Sequence, residues 1–304
     1  MSSNLTYILI SPVKDEERYI QATVHAVLNQ TVRPLQWVIV NDGSRDNTLA
    51  ILKQHVVDYD WIRIISVERD ASRRPGSGVI NAFNVGYRSI VDVPHDIVVK
   101  LDCDVEFEPK YFENLIEKFE DDARLGIASG LCTEQKRGVW CPSSGPSYHA
   151  VGACKMVRAK CFEQIGGFIH GRGWDTVDEI RAQIAGWRTC HFADVPFRHL
   201  KPEGSGIGFI RTSAMHGEIY YLTGGGVGFL LLKALARMIV GKPFLISGCM
   251  VLWGFAMAWG EQRKRLVTKE EAVFYREVLN KRIRIGFGKL LRFWSTKNEI
   301  WSSN

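Results

Sequence analysis

The sequence predicts an α/β protein, with a mostly parallel sheet covered by helices on both faces and a helical appendage at its C-terminal end. Three observations lead there. Short all-apolar runs alternate with segments of helical periodicity over the first hundred residues, the pattern of βαβ units. A composition of 46% hydrophobic and 24% charged residues is globular and excludes disordered, collagenous and coiled-coil chains. The net charge of +6 is concentrated: residues 261–304 hold eleven Lys/Arg against five Asp/Glu, and the rest of the chain is neutral.

The elements follow in order. Leu5–Ile10 reads as a strand, and Glu16–Asn29 as a helix with Ile20, Val24, Val27 and Leu28 on one face. Trp37–Val40 is a second strand, closed by the turn sequence Asn41-Asp-Gly-Ser44. A helix from about Asp46 to Val57, a strand over Ile62–Val67, a helix over Val79–Ile90 and a strand over Asp96–Leu101 complete the alternation. Beyond residue 140 the pattern turns irregular and rich in Gly, Trp and His, with a further strand over His191–Val195. At 304 residues the chain is about twice a typical domain length, so residues 1–210 are expected to form one domain and 211–304 the appendage.

That appendage opens with Val227–Val240, apolar apart from Lys233 and Arg237, which are four apart and share a helical face. Gly241-Lys242-Pro243 breaks it from Pro243–Gly260, eighteen residues without a charge. A spanning helix needs roughly 20 apolar residues, so a re-entrant or interfacial hairpin is expected, with Lys233, Arg237 and Arg263-Lys264-Arg265 at the lipid headgroups. A buried helical pair or an oligomer interface is the plainer alternative. The aromatics of the basic tail, Phe287, Phe293 and Trp294, form no recognised stacking module, so nucleic acid is not an expected partner. Seven scattered cysteines without a CxxC pair point to a reducing compartment. The first apolar run stops after six residues at Ser11-Pro12, too short for a signal-peptide core. The expected location is cytoplasmic, attached peripherally or monotopically to the membrane.

In such sheets ligands bind beyond the C-terminal strand ends, here Ser11–Glu17, Asn41–Arg45 and Asp102–Asp104. A dinucleotide fold would carry glycines in the first of these. Ser11-Pro-Val-Lys-Asp-Glu-Glu17 has none, and its three acids would repel a diphosphate unless a metal intervened. Asp42 could accept bonds from a base or ribose, or simply cap a turn, and Gly43 permits the left-handed backbone the turn needs. Asp102 and Asp104 repel one another unless a cation lies nearby, and if extended they lean to the same side. Hard oxygen ligands with open positions suit Mg²⁺ or Mn²⁺, which would neutralise a diphosphate leaving group. An Asx turn ending the strand is the structural alternative.

Together, Ile10-Ser-Pro-Val-Lys-Asp-Glu-Glu17, Val38-Ile-Val-Asn-Asp-Gly-Ser-Arg-Asp-Asn-Thr48 and Asp102-Cys-Asp104 resemble the family 2 glycosyltransferases with the GT-A fold. Gly78-Val-Ile-Asn-Ala82-Phe-Asn84-Val-Gly86 is similar to that family's Gly…Ala-x-Asn-x-Gly helix start. Ala153–Arg158 and Phe162–Phe168 resemble its acceptor-side strand and helix, so the likeness covers roughly residues 5–200. The resemblance implies inverting transfer of a sugar from a nucleotide-sugar donor to a glycan or lipid-linked acceptor. It implies that Asp42 holds the base, that Asp102 and Asp104 hold ribose and metal, and that Pro12, Val13, Glu16, Gly78 and Asn84 belong to the donor site. The usual Pro-x-Tyr-Asn-Glu is here Pro12-Val13-Lys14-Asp15-Glu16, which removes an aromatic that could stack on a base. Arg73 and Arg74 either reach the donor diphosphate or form a solvated pair.

Inverting transfer needs a general base at the acceptor hydroxyl. The family has an Arg six residues after its base, and counting back from Arg181 gives Asp175, with Asp178 the second candidate. Asp178 could instead be a first-turn acid favoured by the helix dipole, and Asp175 an N-cap. His199 either completes the metal's coordination or is a satisfied structural histidine. Trp140, Trp174 and Trp187 could stack on sugars or pack in the core. A nucleotidyltransferase would need a Gly-rich phosphate loop that is missing. The remaining alternative is a catalytically silent nucleotide-sugar-binding scaffold or sensor at the membrane.

Overall fold

The computed structural model describes residues 5–67, 78–136, 138–143, 145–201 and 208–301, with side chains up to Ile285. The chain forms two compact units, Met1–Glu203 and Gly204–Asn304.

In the first unit, β1 (Tyr7–Val13), β2 (Gln36–Asn41), β3 (Ile62–Ser66) and β4 (Ile97–Leu101) alternate with α1 (Ile20–Leu28), α2 (Thr48–Val56) and α3 (Gly78–Arg88). There follow β5 (Val105–Glu106), α4 (Tyr111–Asp121), β6 (Leu125–Lys136), β7 (Val139–Pro142), β8 (Cys154–Arg158), α5 (Ala159–Gln164), α6 (Trp174–Ile184) and β9 (Arg188–His199). The sheet order is β3-β2-β1-β4-β8-β6-β9-β5, with β7 on β6. The four strands β3, β2, β1 and β4 pair in parallel, as the alternating sequence predicts. Beyond β4 the sheet is mixed: β8 runs antiparallel to both β4 and β6, β6 pairs in parallel with β9, and β5 returns antiparallel to β9.

The parallel strands are apolar on both faces because both are covered. Tyr7, Leu9, Trp37, Ile39, Ile97 and Val99 pack with α1, α2 and α4 on one side. Ile8, Ile10, Val38, Val40 and Val98 face α3 and the Phe162–Phe168 aromatics on the other. Helix α3 lies close enough that a Cβ at Gly86 would come within 2.7 Å of the Ile10 side chain, so no larger residue fits there.

The second unit is helical: α7 (Phe209–Leu222), α8 (Val227–Val240), α9 (Ile246–Gly260) and α10 (Lys269–Trp301). Gly241-Lys242-Pro243 separates α8 from α9 as the sequence suggests. Among the described residues no helix is long and apolar enough to cross a membrane.

Candidate active site

Two loops build the floor of the site by stapling each other. Asp15 takes a positive φ of 53°. Its carboxylate accepts a bond from Arg45 N (2.8 Å), while its own N–H donates to Ser44 Oγ (3.1 Å). Glu17 accepts from Asn47 N, Asp46 from Glu17 N, and Thr48 Oγ1 from Glu16 N. Two of the three acids that would repel a phosphate are thereby consumed in holding the β1 loop to the β2 loop. Glu16 alone turns inward. At the end of β2, Asn41 Oδ1 accepts from Ser44 N and Gly43 sits at φ 68°, the left-handed turn its sequence anticipates.

A cavity of about 300 Å³ lies above this floor, lined by Pro12, Val13, Lys14, Glu16, Asp42, Gly78, Val79, Ala82 and Asp102–Asp104. Seven of the sequence-predicted residues thus converge: Pro12, Val13, Glu16, Asp42, Gly78, Asp102 and Asp104. Asn84 is half-buried on α3 and is not among the lining residues. Arg74 lies outside the described residues. Asp102 and Asp104 reach the cavity through a bend after β4 rather than by strand alternation, because pairing with β8 ends at Leu101 and β5 resumes only at Val105.

Four carboxylates in one pocket need positive charge. The chain supplies part of it. Lys100 pairs with Asp102, and its ammonium also donates to Gly152 O at 2.8 Å. Lys201 pairs with Glu16. His199, the last residue of β9, places Nε2 3.4 Å from Asp104 and Nδ1 3.8 Å from Glu134. Burial opposes a charge on that imidazole, but hydrogen bonds to Asp104 and Glu134 raise its pKa to about 10. Burial pushes Glu16 up, against the pull of Lys201 and with the charges of Asp104 and Asp102 adding to the rise. Burial likewise raises Asp102, opposed by Lys100 and reinforced by Asp104. Even so, Glu16 Oε2 and Asp104 Oδ1 are buried without a hydrogen-bond partner.

Those two orphaned oxygens are the test of whether a divalent cation fits, since a buried charged oxygen without a partner is costly. The residues fit: hard carboxylate oxygens with unused lone pairs suit Mg²⁺ or Mn²⁺. Among the described residues no group of three His, Cys, Asp or Glu side chains encloses an ion unaided. That suits a metal that takes its remaining ligands from substrate phosphates.

The second half of the site is α6. It starts at Trp174 after Gly173 at φ 91°, with no side-chain cap, so Asp175 is a half-buried first-turn residue and not the N-cap. A Cβ on Gly152 would lie 3.6 Å from Asp175 Cβ. The same short segment accepts Lys100 at Gly152 O and Asp102 N–H at Ala153 O (2.7 Å). Asp175 is therefore one backbone segment away from the cavity acid Asp102.

Asp178, one turn further along α6, is turned into the core. Its carboxylate is fully buried and receives Lys155 Nζ at 2.9 and 3.1 Å. Lys155 also donates to Asp175 O (2.9 Å) and lies 3.5 Å from Glu179. Glu179 in turn accepts from Ala150 N (2.7 Å) and pairs with His149 (3.0 Å). Burial drives Asp178 up to about 7 against the attraction of Lys155, with the like charges of Glu179 and Asp175 adding to the rise. Lys155 stays charged because burial is outweighed by Asp178, Glu179 and Asp175.

Trp174 is a core residue with both ammonium groups against its ring, Lys155 at 5.1 Å and Lys100 at 5.4 Å. Trp187 packs at the edge of the core and Trp140 lies under Arg198. Lys100, Lys155 and Lys201 were not among the residues the sequence singles out. Two of them carried a signal: a lysine within an otherwise apolar buried strand, as in Val98-Val-Lys-Leu101 and Cys154-Lys-Met-Val157, requires a buried acid as partner.

The architecture recurs in solved structures. A mannosyltransferase from Pyrobaculum calidifontis, solved with GDP-Man and Mn²⁺, superposes with a TM-score of 0.53 at 15% identity, covering 96% of this chain and 83% of that one. Staphylococcus aureus TarS 1–349 with UDP-GlcNAc gives 0.51 at 14% identity, over 89% and 78%. The fold is that of a GT-A glycosyltransferase. A profile described as Glycosyl transferase family 2 matches residues 8–166, just over half of the chain, and the chain belongs to that family. Among its curated relatives are an uncharacterized glycosyltransferase of Bacillus subtilis, 28% identical over 124 residues, and the chondroitin synthase of Escherichia coli, 31% identical over 114. These matches span 40% and 38% of this chain but only 36% and 15% of the relatives' length.

Proposed function

We propose that this glycosyltransferase moves a sugar from a nucleotide-sugar donor to a glycan or lipid-linked acceptor, with inversion and with a divalent metal, at the cytoplasmic face of a membrane. The observation that carries this reading is the convergence of Glu16, Asp42, Asp102 and Asp104 on one cavity in which two carboxylate oxygens lack partners. Asp42 and the β1 loop at Pro12–Val13 hold the nucleoside, and Gly78 at the start of α3 lets the donor approach the backbone. Mg²⁺ or Mn²⁺ would be held by Asp104 with Asp102 and would neutralise charge on the departing nucleoside diphosphate; His199, held as an imidazolium against Asp104, would join as a ligand only by giving up its proton to the incoming ion. Glu16, paired with Lys201, braces the same wall.

Asp175 accepts the proton of the acceptor hydroxyl as its oxygen bonds to the anomeric carbon and the bond from that carbon to the diphosphate oxygen breaks. Asp178 is the weaker candidate because its carboxylate is already engaged by Lys155 within the core. Poly-beta-1,6-N-acetyl-D-glucosamine synthase of Staphylococcus epidermidis, 28% identical over 116 residues, supports a growing polysaccharide as acceptor class. Solved neighbours hold GDP-Man in one case and UDP-GlcNAc in another, so both nucleotides enter the test.

The experiment is a panel of UDP-, GDP-, dTDP- and CDP-sugars with Mn²⁺, read by thermal shift for binding and by product formation with glycan acceptors. Transfer should require metal and acceptor, and Asp175→Asn should abolish it while nucleotide binding survives. Near-normal turnover in Asp175→Asn removes Asp175 from the mechanism. Nucleotide binding with no consumption under any acceptor makes the chain a sensor.

A further inference from the structure

The α8–α9 hairpin is built inside out for a water-soluble unit. On α9 the buried positions are Ser247, Gly248, Val251, Gly254 and Ala258, nearly all small. Their smallness is used: a Cβ at Gly254 would fall 1.9 Å from Ala214 O on α7, and one at Gly248 2.2 Å from Ala234 O on α8. Small residues at the helix contacts and bulky apolar ones outside is the arrangement of helices that meet lipid, where no hydrophobic gain comes from pointing leucines inward. The bulky residues are indeed outside. On α8 the unbroken i, i+4 row Val227–Leu231–Leu235–Ile239 is 55–66% exposed along its whole length. At the tip, Phe244 is 65% exposed, and on α9 Trp253 is 57%. Isolated exposed leucines need no explanation, but a continuous apolar stripe does.

The charge pattern identifies what covers it. Between Val227 and Gly260 the chain carries Lys233, Arg237 and Lys242 and not one Asp or Glu. Lys242 is exposed beside Phe244 at the tip, so a second copy laid symmetrically there would bring like charges together, whereas an anionic bilayer complements that charge. Length settles the mode of contact. Helices of 14 and 15 residues reach only about 22 Å at 1.5 Å per residue, short of the ~30 Å hydrocarbon layer.

We propose that the α8–α9 hairpin docks on an anionic lipid bilayer. It lies in the interface with the Val227–Leu231–Leu235–Ile239 row and Phe244 among the upper acyl chains, the exposed Lys242 at the phosphates and Arg237 reaching up to them from the far flank of α8. This deepens the location given under the proposed function and does not rest on the transfer chemistry.

The test is co-sedimentation of the full chain with phosphatidylcholine vesicles, with and without 30% phosphatidylglycerol, at low salt. Anionic vesicles should bind it at least tenfold more tightly than neutral ones. The double variant Leu235→Glu/Phe244→Glu, at exposed positions, should lose tenfold or more on both vesicle types with its helical circular dichroism unchanged. Arg237→Gln/Lys242→Gln should lose only the anionic preference. A chain that stays in the supernatant with anionic vesicles, or binds them equally well as the Leu235→Glu/Phe244→Glu variant, overturns the proposal. So does a wild-type dimer in gel filtration that this variant converts to monomer, which would show a second copy covering the face. Nucleotide binding measured by thermal shift on the same preparation reads the donor site separately, so failure of one proposal is not mistaken for failure of the other.

Discussion

Replacing Lys155 by methionine should destabilise the first unit by about 3–5 kcal/mol, the cost of removing one partner of a buried pair. Lys155 has no exposed side-chain surface, nor does its partner Asp178. Methionine fills similar volume, so the loss is electrostatic and not a cavity. Asp178 would be stranded without a cation, and Asp175 O would lose its donor, whereas Glu179 keeps Ala150 N and His149. The double variant Lys155→Met/Asp178→Leu removes both charges together and leaves two bonds unmade, Lys155 to Asp175 O and Glu179 N to Asp178 Oδ1 (2.6 Å), together worth about 1–3 kcal/mol. It should therefore be more stable than the lysine variant alone. Urea unfolding of the full chain, followed through the transition of the first unit, measures both, and the single variant should melt about 10 °C lower. If Lys155→Met unfolds within 1 kcal/mol of wild type, or if the two substitutions simply add, the buried pair is not what holds the start of α6.

Lys100→Met should weaken nucleotide binding by roughly tenfold in isothermal titration with Mn²⁺, because the half-buried Asp102 without its counter-charge is driven further toward the neutral form; unchanged affinity would show that Lys100 serves the fold alone. Gly254→Leu should melt the second unit without altering nucleotide affinity, since the Cβ already collides with Ala214 O at 1.9 Å, and overpacking of this kind costs about 1–3 kcal/mol or more. A variant with two intact thermal transitions would contradict the close α7–α9 crossing. His149 is raised above its usual pKa because, although burial opposes its charge, Glu179 stabilises the imidazolium. Its pair therefore contributes fully below about pH 6.5 and is lost as pH rises through the raised folded value. Wild type should lose on the order of 1 kcal/mol or less relative to His149→Gln between pH 6 and pH 9, and parallel pH–stability curves for the two proteins would refute the assignment.

The parallel half of the sheet could be read from sequence because its strands are buried on both faces and so are continuous apolar words: Trp37–Val40 and Asp96–Leu101 fall within one or two residues of β2 and β4. Gly43 could be read for the same local reason, a turn that demands positive φ. The three- to four-residue spacing of Tyr111, Phe112, Leu115, Ile116 and Phe119 also carries a helical signal for α4, which the element-by-element reading did not pick out. What sequence did not show is direction. Asp15, Glu16 and Glu17 look alike in a row, yet only Glu16 reaches the cavity, because Asp15 at φ 53° turns its carboxylate back onto Arg45 N. Hydropathy marked 227–260 as apolar but could not reveal that the bulky side chains point outward and the glycines inward.

The pairing of Lys100 with Lys155 was hidden for a different reason: it arises only when β4 and β8 align antiparallel, which sets the two lysines directly opposite one another. Like charges at facing positions repel, so each must be answered by its own acid, Lys100 by Asp102 and Lys155 by Asp178, with the Trp174 ring in contact with both. That cross-strand pair is what binds the two halves of the candidate site into one object. Lys100 fixes the cavity acid Asp102 and the carbonyl of Gly152, while Lys155 fixes the carbonyl of Asp175 on the neighbouring helix turn. The relative position of the donor acid and the candidate base is thus set by two buried lysines, so a substitution at either should disturb sugar transfer more than its distance from the cavity suggests.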